Sequence, residues 1–414
     1  SLDVQVPPLG YTTLTARPGK KGEATRYPET PGLATSERSM ANEHLEVCIE
    51  ANGTLTLVDK RNGETYSRLL TLEDTVDIGD GWYHGVAVND QTFVSSASRA
   101  DVALVHNGPL LTTFRVRCHL LVPLEADMGA MERSDRFTDL VVDSLVSLRA
   151  DRDYVEVQTT VHNNARDHRL RVLFPSGAQA DTYLADSPFD VVERPIPLRA
   201  DNYLYRELEV ETGPQQSWTA VFDERRGLAL VSRGLFESTV RDLPDRPVAL
   251  TLLRATGRTV MTDGEPLGQI QGTHTFAYWI VPLQGELDRA AMCLLGQHIA
   301  TSLGGVQMTT TDVALYRRER RLPAEQSFLE VAGPAVVTSV RQVGEGVQVR
   351  MFNPLDEEIS ASVRALRATD RPLFDSVVQV DLEGRPKGPA KRYDGDVDLK
   401  LLAKQIVTLR FSNS

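Results

Sequence analysis

At two places in this chain, residue types and spacing suggest chemistry. His162, Asp167 and His168 are the nearest approach to a metal-ligand set. Their spacings of five and six leave only His162 and His168 in step, at two ends of a turn. Loop polarity or a core-edge hydrogen bond is the better reading, because a metal site also needs an outer shell to orient its ligands. Asp77, Asp80 and Asp90 surround Trp82-Tyr83-His84, a combination able to stack on a sugar and hydrogen-bond its hydroxyls. Aromatics mostly anchor sandwich edges, so a turn with a buried aromatic is the stronger reading there. His274, just ahead of an expected strand, reads as structural.

Other chemistries find little support. Glycosidases use paired carboxylates, but 57 acidic residues make any chosen pair uninformative. The chain has no GxSxG, Walker, HExxH or GxGxxG sequence. Cys48, Cys118 and Cys293 are sparse, odd in number and free of CxxC spacing. That pattern fits neither a disulfide framework nor a zinc knuckle, and it points to single thiols in the cytoplasm. A net charge of −12 argues against a nucleic-acid surface, and no run of 18 apolar residues is present to span a membrane. No convincing active site emerges.

The elements that position these residues are strands. In the stretch His162–Pro195, Leu170, Val172 and Phe174 alternate with Arg169, Arg171 and Leu173 before Pro175-Ser176-Gly177 breaks the run. Val155, Val157, Thr159 and Val161 share another face. Asn52-Gly53 between alternating runs predicts a hairpin with a type I′ turn, and Asp223–Gly227 predicts one with Gly227 left-handed. Many short strands with almost no helix indicate a sandwich. One helix is expected over 287–299, its apolar face formed by Leu287, Ala290, Ala291, Leu294, Leu295 and Ile299.

A length of 414 residues calls for two or three domains. The expected division is a strand of a preceding small β-domain at 1–17, a linker at 18–41 and a large β-sandwich at 42–300. A polar linker at 301–327 carries Arg317–Arg321, and a smaller β-sandwich occupies 328–414. Ser1-Leu2 lacks an initiator Met and reads as a cloning scar on a chain that extends further N-terminally.

Several motifs in order resemble glycoside hydrolase family 38, the α-mannosidases. They include NEHLEVCIEANGTLTLVDKRNGETY (Asn42–Tyr66), EDTVDIGDGWYH (Glu73–His84), DHRLRVLFPSGAQADTYLADSPFDVVERPI (Asp167–Ile196) and GTHTFAYWIVP (Gly272–Pro282). The resemblance implies a mainly β fold, a large galactose-mutarotase-like sandwich plus a smaller one. It also implies a parent enzyme that is a zinc-dependent, retaining exo-α-mannosidase with an N-terminal catalytic barrel. Only the part after that barrel is matched, so no catalytic or metal residue is carried over and the zinc is expected outside this chain.

The expected partners are the parent's own barrel and an α-mannoside, with a second copy as a further candidate. Asp186, Arg194 and Arg254 lie in the best-matching segments and are expected contacts of the cleft or barrel, set against strand-end salt bridges as the plainer role. Two alternatives stay open. A mutarotase-like enzyme would bring sugar to His84, His162 or His274, and a carbohydrate-binding module would use Trp82 or Trp279 as a platform.

Overall fold

The computed structural model describes residues 4–16, 31–259, 262–301, 303–309, 311–312, 323–365, 367–368 and 371–413. Arg317–Arg321 and most of the expected 18–41 linker lie outside the described residues. Two compact units form, one from residues 31–186 and 192–287, the other from 4–16, 187–191 and the described residues beyond 287.

Alternation builds the first unit. Val155, Val157, Thr159 and Val161 turn inward from the strand Val155–Asn163, and Leu170, Val172 and Phe174 do so from His168–Pro175. The two strands belong to different antiparallel sheets that share one apolar core. A nine-stranded sheet has Gly272–Leu283, Val155–Asn163, Phe137–Arg149 and Leu111–Pro123 adjacent at its centre. In the six-stranded sheet, His168–Pro175 lies between Thr71–Val76 and Pro247–Ala255. This is the expected large sandwich, and a four-stranded sheet from Ser39–Ala41 to Glu64–Leu69 adds to its core. One buried polar trio is paired inside: Thr159 Oγ1 lies 2.9 Å from Ser144 Oγ and 2.6 Å from the Tyr278 hydroxyl.

Both hairpins form, with turns other than those expected. Glu50 N donates to Thr54 O, which leaves a three-residue loop in which Gly53 alone has positive φ (+82°). Asn52 instead accepts from Thr54 N through its side chain. A left-handed glycine closing a three-residue loop replaces the type I′ turn. Gly227 is not left-handed; a Cβ there would lie 2.3 Å from Phe222 Cβ, so close approach is what demands glycine.

In the second unit, a five-stranded sheet centred on Gly346–Phe352 and Ile406–Ser412 accompanies a three-stranded sheet. Between them Met351, Val363, Leu401 and Phe411 form a separate core, so the smaller sandwich is also present. Gly10–Thr12 pairs with Glu325–Ser327 in this unit. The helix runs Arg289–Ala300, with the Asp288 carboxylate accepting from Ala291 N at its start. Its buried side is Ala290, Met292, Cys293 and Gly296, while Leu294 is exposed. Small residues face inward because the helix approaches the strand Val336–Val343 closely enough for Gln297 Nε2 to donate to Val337 O.

Gly227→Val should lower the stability of the first unit by about 1–3 kcal/mol through overpacking. A reduced urea midpoint with an unchanged slope would show it.

Candidate functional site

Only one face of the six-stranded sheet is apolar. Register places Thr75, Arg169 and Arg254 in one row across its three central strands, and Glu73, Arg171 and Thr251 in the next. All except Arg254 are buried, so this outer face is a charged layer rather than a wet surface. Arg171 donates to Glu73 Oε1 from Nε (3.0 Å) and Nη2 (2.6 Å), and to Glu211 Oε1 from Nη1 (2.7 Å). Arg241 Nη1 takes the other Glu73 oxygen at 2.8 Å. Fork geometry suits such shared carboxylates. Arg169 is different, because its nearest carboxylate oxygen, on Glu237, stands 4.0 Å away. Burial, and then the charge of Arg171, push the Arg169 guanidinium down to about 10.

Arg254 ties this face to the loop that follows Thr71–Val76. Its Nε donates to Asp77 Oδ2 at 2.7 Å and its Nη2 to Asp80 O at 2.8 Å. Asp77 Oδ1 accepts from Gly79 N and Gly85 N, Asp80 Oδ1 from Trp82 N and Tyr83 N, and Asp90 Oδ1 from Val76 N. Asp80 N donates to Tyr83 O, closing the tip. The expected buried aromatic is not found: Trp82 is 83% exposed on this pinned tip. All three aspartates are engaged by backbone N–H groups or by Arg254, so they hold the loop rather than form a free acid–base pair. His84 Nε2 donates to Val76 O at 3.0 Å, which requires the proton on that nitrogen. Burial and then Arg169 lower the His84 pKa, against the opposing pull of Asp77.

The other expected residues lie elsewhere. Asp186 accepts from Gln216 N, Ser217 N and Trp218 N, and from the Ser217 hydroxyl, which fixes the turn into Trp218–Phe222. Arg194 sits with its guanidinium carbon 6.0 Å from the centre of the Tyr183 ring. Trp279 lies between Glu156 and Val231 in the nine-stranded sheet and is half-buried. His274 Nε2 donates to Ile270 O, and its ring stacks on Phe276. Arg169 and Glu237 were not singled out from sequence; the available signal was a second cation two residues from Arg171 on the same strand face.

His162, Asp167 and His168 do not converge. His162 Nδ1 meets the Thr273 hydroxyl at 3.0 Å, and Asp167 Oδ1 accepts from Gln269 Nε2 at 2.7 Å. The amide of Asn163 donates to Gln269 O and Ile270 O, so its Oδ1 accepts from His168 Nε2. The other ring nitrogen of His168 lies 2.5 Å from Asp74 Oδ2, and Arg133 Nη2 lies 2.5 Å from Asp74 Oδ1 as an ion pair outside hydrogen-bond alignment. With both nitrogens turned to protein partners, His168 presents neither to a metal. Among the described residues no group of three His, Cys, Asp or Glu could hold a metal ion. Cys118 is no better placed as a nucleophile, since burial and then Asp143 push its thiol up to about 11. No helix among the described residues is long and apolar enough to cross a membrane.

A two-sheet sandwich with a charged outer layer and an exposed loop tryptophan defines a β-sandwich domain. Residues 40–259, more than half of the chain, match the model of the glycosyl hydrolases family 38 C-terminal domain. The chain belongs to that family. An α-mannosidase from Enterococcus faecalis superimposes with a TM-score of 0.82 at 27% identity, over 95% of this chain and 44% of its own. A second structure, a family 38 protein from the same species, gives 0.79 at 27% identity, over 95% and 46%. A relative from Halalkalibacterium halodurans, named for mannosylglycerate hydrolysis, is 23% identical over 91% of this chain and 42% of its own length. The chain spans less than half of each relative.

Two outcomes are expected. Asp74→Ala strands the buried Arg133 and His168, so urea unfolding should show a loss of about 3–5 kcal/mol. His84 faces Arg169, Arg254 and Asp77, and its folded pKa lies below the ordinary value. The unfolded chain therefore takes up this proton first as pH falls. Stability should be full above about 6.5 and decline below it, and His84→Gln should flatten that part of a pH-dependent melting curve.

Proposed function

We propose that this chain is the C-terminal, non-catalytic part of an α-mannosidase. It buttresses an N-terminal catalytic barrel and borders the substrate cleft. The observation that carries this reading is the E. faecalis α-mannosidase, which accommodates 95% of the chain within 44% of its own length. The engaged aspartates of the Trp82 loop and the separation of His162, Asp167 and His168 support a chain without its own chemistry. The parent's zinc belongs in the barrel, and the large sandwich, expected over 42–300, is the part that meets it. Cys48, Cys118 and Cys293, none of them in a disulfide, suit the cytoplasm.

Within this reading the Trp82 loop faces the cleft. A rigidly held, exposed indole suits the apolar face of a pyranose. Arg254 acts as a positioning residue that sets the loop through Asp77 and Asp80. Asp186 and Arg194 lie elsewhere, where Asp186 fixes the turn into Trp218–Phe222 and Arg194 packs on Tyr183. The same exposed indole gives a carbohydrate-binding module acting alone its one specific support.

Hydrolysis of an aryl α-mannoside, with zinc added, tests the proposal. The 414-residue chain should be inactive and the product of the gene with its upstream region active; turnover by this chain alone would overturn it. In the longer protein Trp82→Ala should remove about 1 kcal/mol of stacking, roughly a fivefold rise in KM with kcat little changed.

A further inference from the structure

One cation in the charged layer of the six-stranded sheet lacks a close counter-charge. Arg171 and Arg241 share Glu73, and Arg254 spends Nε on Asp77 and Nη2 on the Asp80 carbonyl. Arg169 has no such pair. Its side chain is 5% exposed, and the nearest carboxylate oxygen, on Glu237, stands 4.0 Å from Nη1, beyond hydrogen-bond reach. Glu237 is held back because its Oε1 already accepts from the Thr251 hydroxyl at 2.7 Å. Among the described residues, Arg169 Nε is buried without a hydrogen-bond partner. Thr75 lies directly opposite Arg169 on the neighbouring strand, which sets their Cβ atoms about 5 Å apart on one face. The Thr75 hydroxyl is likewise buried and without a partner. Native structures leave such groups unmade sparingly, because each costs its full desolvation, and an ion shared between the two satisfies both.

We propose that Arg169 Nε and the Thr75 hydroxyl hold a small monovalent anion of the chloride type between the strands Thr71–Val76 and His168–Pro175. A spherical ion accepts from any direction, so two donors and the Arg169 charge suffice for it. A carboxylate or phosphate needs further donors in fixed directions. The forks that could supply them are spent, Arg254 on its loop and Arg171 on Glu73 and Glu211. Water would satisfy both hydrogen bonds and leave the charge uncompensated, and away from bulk solvent the Coulomb attraction selects the anion. The ion also acts on a neighbour. His84 faces Arg169, Arg254 and Asp77, and burial and then Arg169 lower its pKa. An anion on Arg169 offsets that repulsion and raises the His84 pKa again. Because His84 Nε2 donates to Val76 O at the stem of the Trp82 loop, occupancy of the site is felt there. The site belongs to this chain and does not depend on the mannosidase reading.

The probe is chloride, exchanged for gluconate, an anion too large to enter, at fixed ionic strength while the 414-residue chain is melted. The midpoint should climb as chloride rises from about 1 to about 100 mM, as for an ion that binds only the folded chain. Thr75→Val keeps the side-chain shape and removes only the hydroxyl, so it should fold and weaken chloride about fivefold. Arg169→Met should abolish the dependence; if it does not fold, the valine variant decides. Chloride should also move the imidazole titration of His84 to higher pH in the NMR spectrum, and gluconate should not. A crystal soaked in bromide should show an anomalous peak within hydrogen-bond distance of Arg169 Nε and Thr75 Oγ1. A midpoint or a His84 titration indifferent to chloride, or equal dependence in Thr75→Val, would overturn the proposal. So would bromide found only elsewhere on the surface, an adventitious ion only.

Discussion

The strand His168–Pro175 must bury both of its faces, and it is apolar on only one. Leu170, Val172 and Phe174 enter the common core of the two sheets. Arg169 and Arg171 enter the layer on the other side, where burial is affordable only if each guanidinium meets carboxylates in good geometry. Much of the first unit answers that demand. Glu73 comes from one neighbouring strand, Glu211 from a loop and Arg241 from the end of Glu237–Val240, and together they close around Arg171. At the start of the same strand, His168 reaches Asp74 on the neighbouring strand Thr71–Val76, and Arg133 flanks the other oxygen of Asp74.

The same logic governs the loop rich in aspartate and histidine. A catalytic carboxylate needs a free oxygen and a partner carboxylate at a set distance. Asp77, Asp80 and Asp90 instead accept from backbone N–H groups or Arg254, and each such bond trades reactivity for loop rigidity. Their product is an exposed tryptophan in a defined place.

Much of this was legible in the chain. Period-2 alternation located Val155–Asn163 and His168–Pro175, and Asn52-Gly53 located a hairpin. The turn type was not legible, because the Asn52 side chain competes for Thr54 N and shifts the positive φ to Gly53 alone. The helix was placed within two residues of its start, but on the wrong face. Hydrophobicity ranks Leu294 above Gly296, whereas close packing on a strand selects the smaller residue. Family motifs identified the lineage directly, since they preserve residue order across domains whose relatives share only about a quarter of their residues.

Asp186, Arg194 and Arg254 show where such reading ends. Sequence established that each is polar within a strand-rich segment, and nothing in it separates a carboxylate that caps a turn from one that faces a cleft. The fold alone decided that Asp186 serves backbone N–H groups while Arg254 pins the Trp82 loop. What the sequence determined by itself is local: alternation, strand limits, hairpin positions and membership of family 38. Tertiary structure decided which charges meet, because Thr75, Arg169 and Arg254 lie far apart in the chain and become one row only through strand register. Register is a property of the assembled sheet, set by which faces can be buried together.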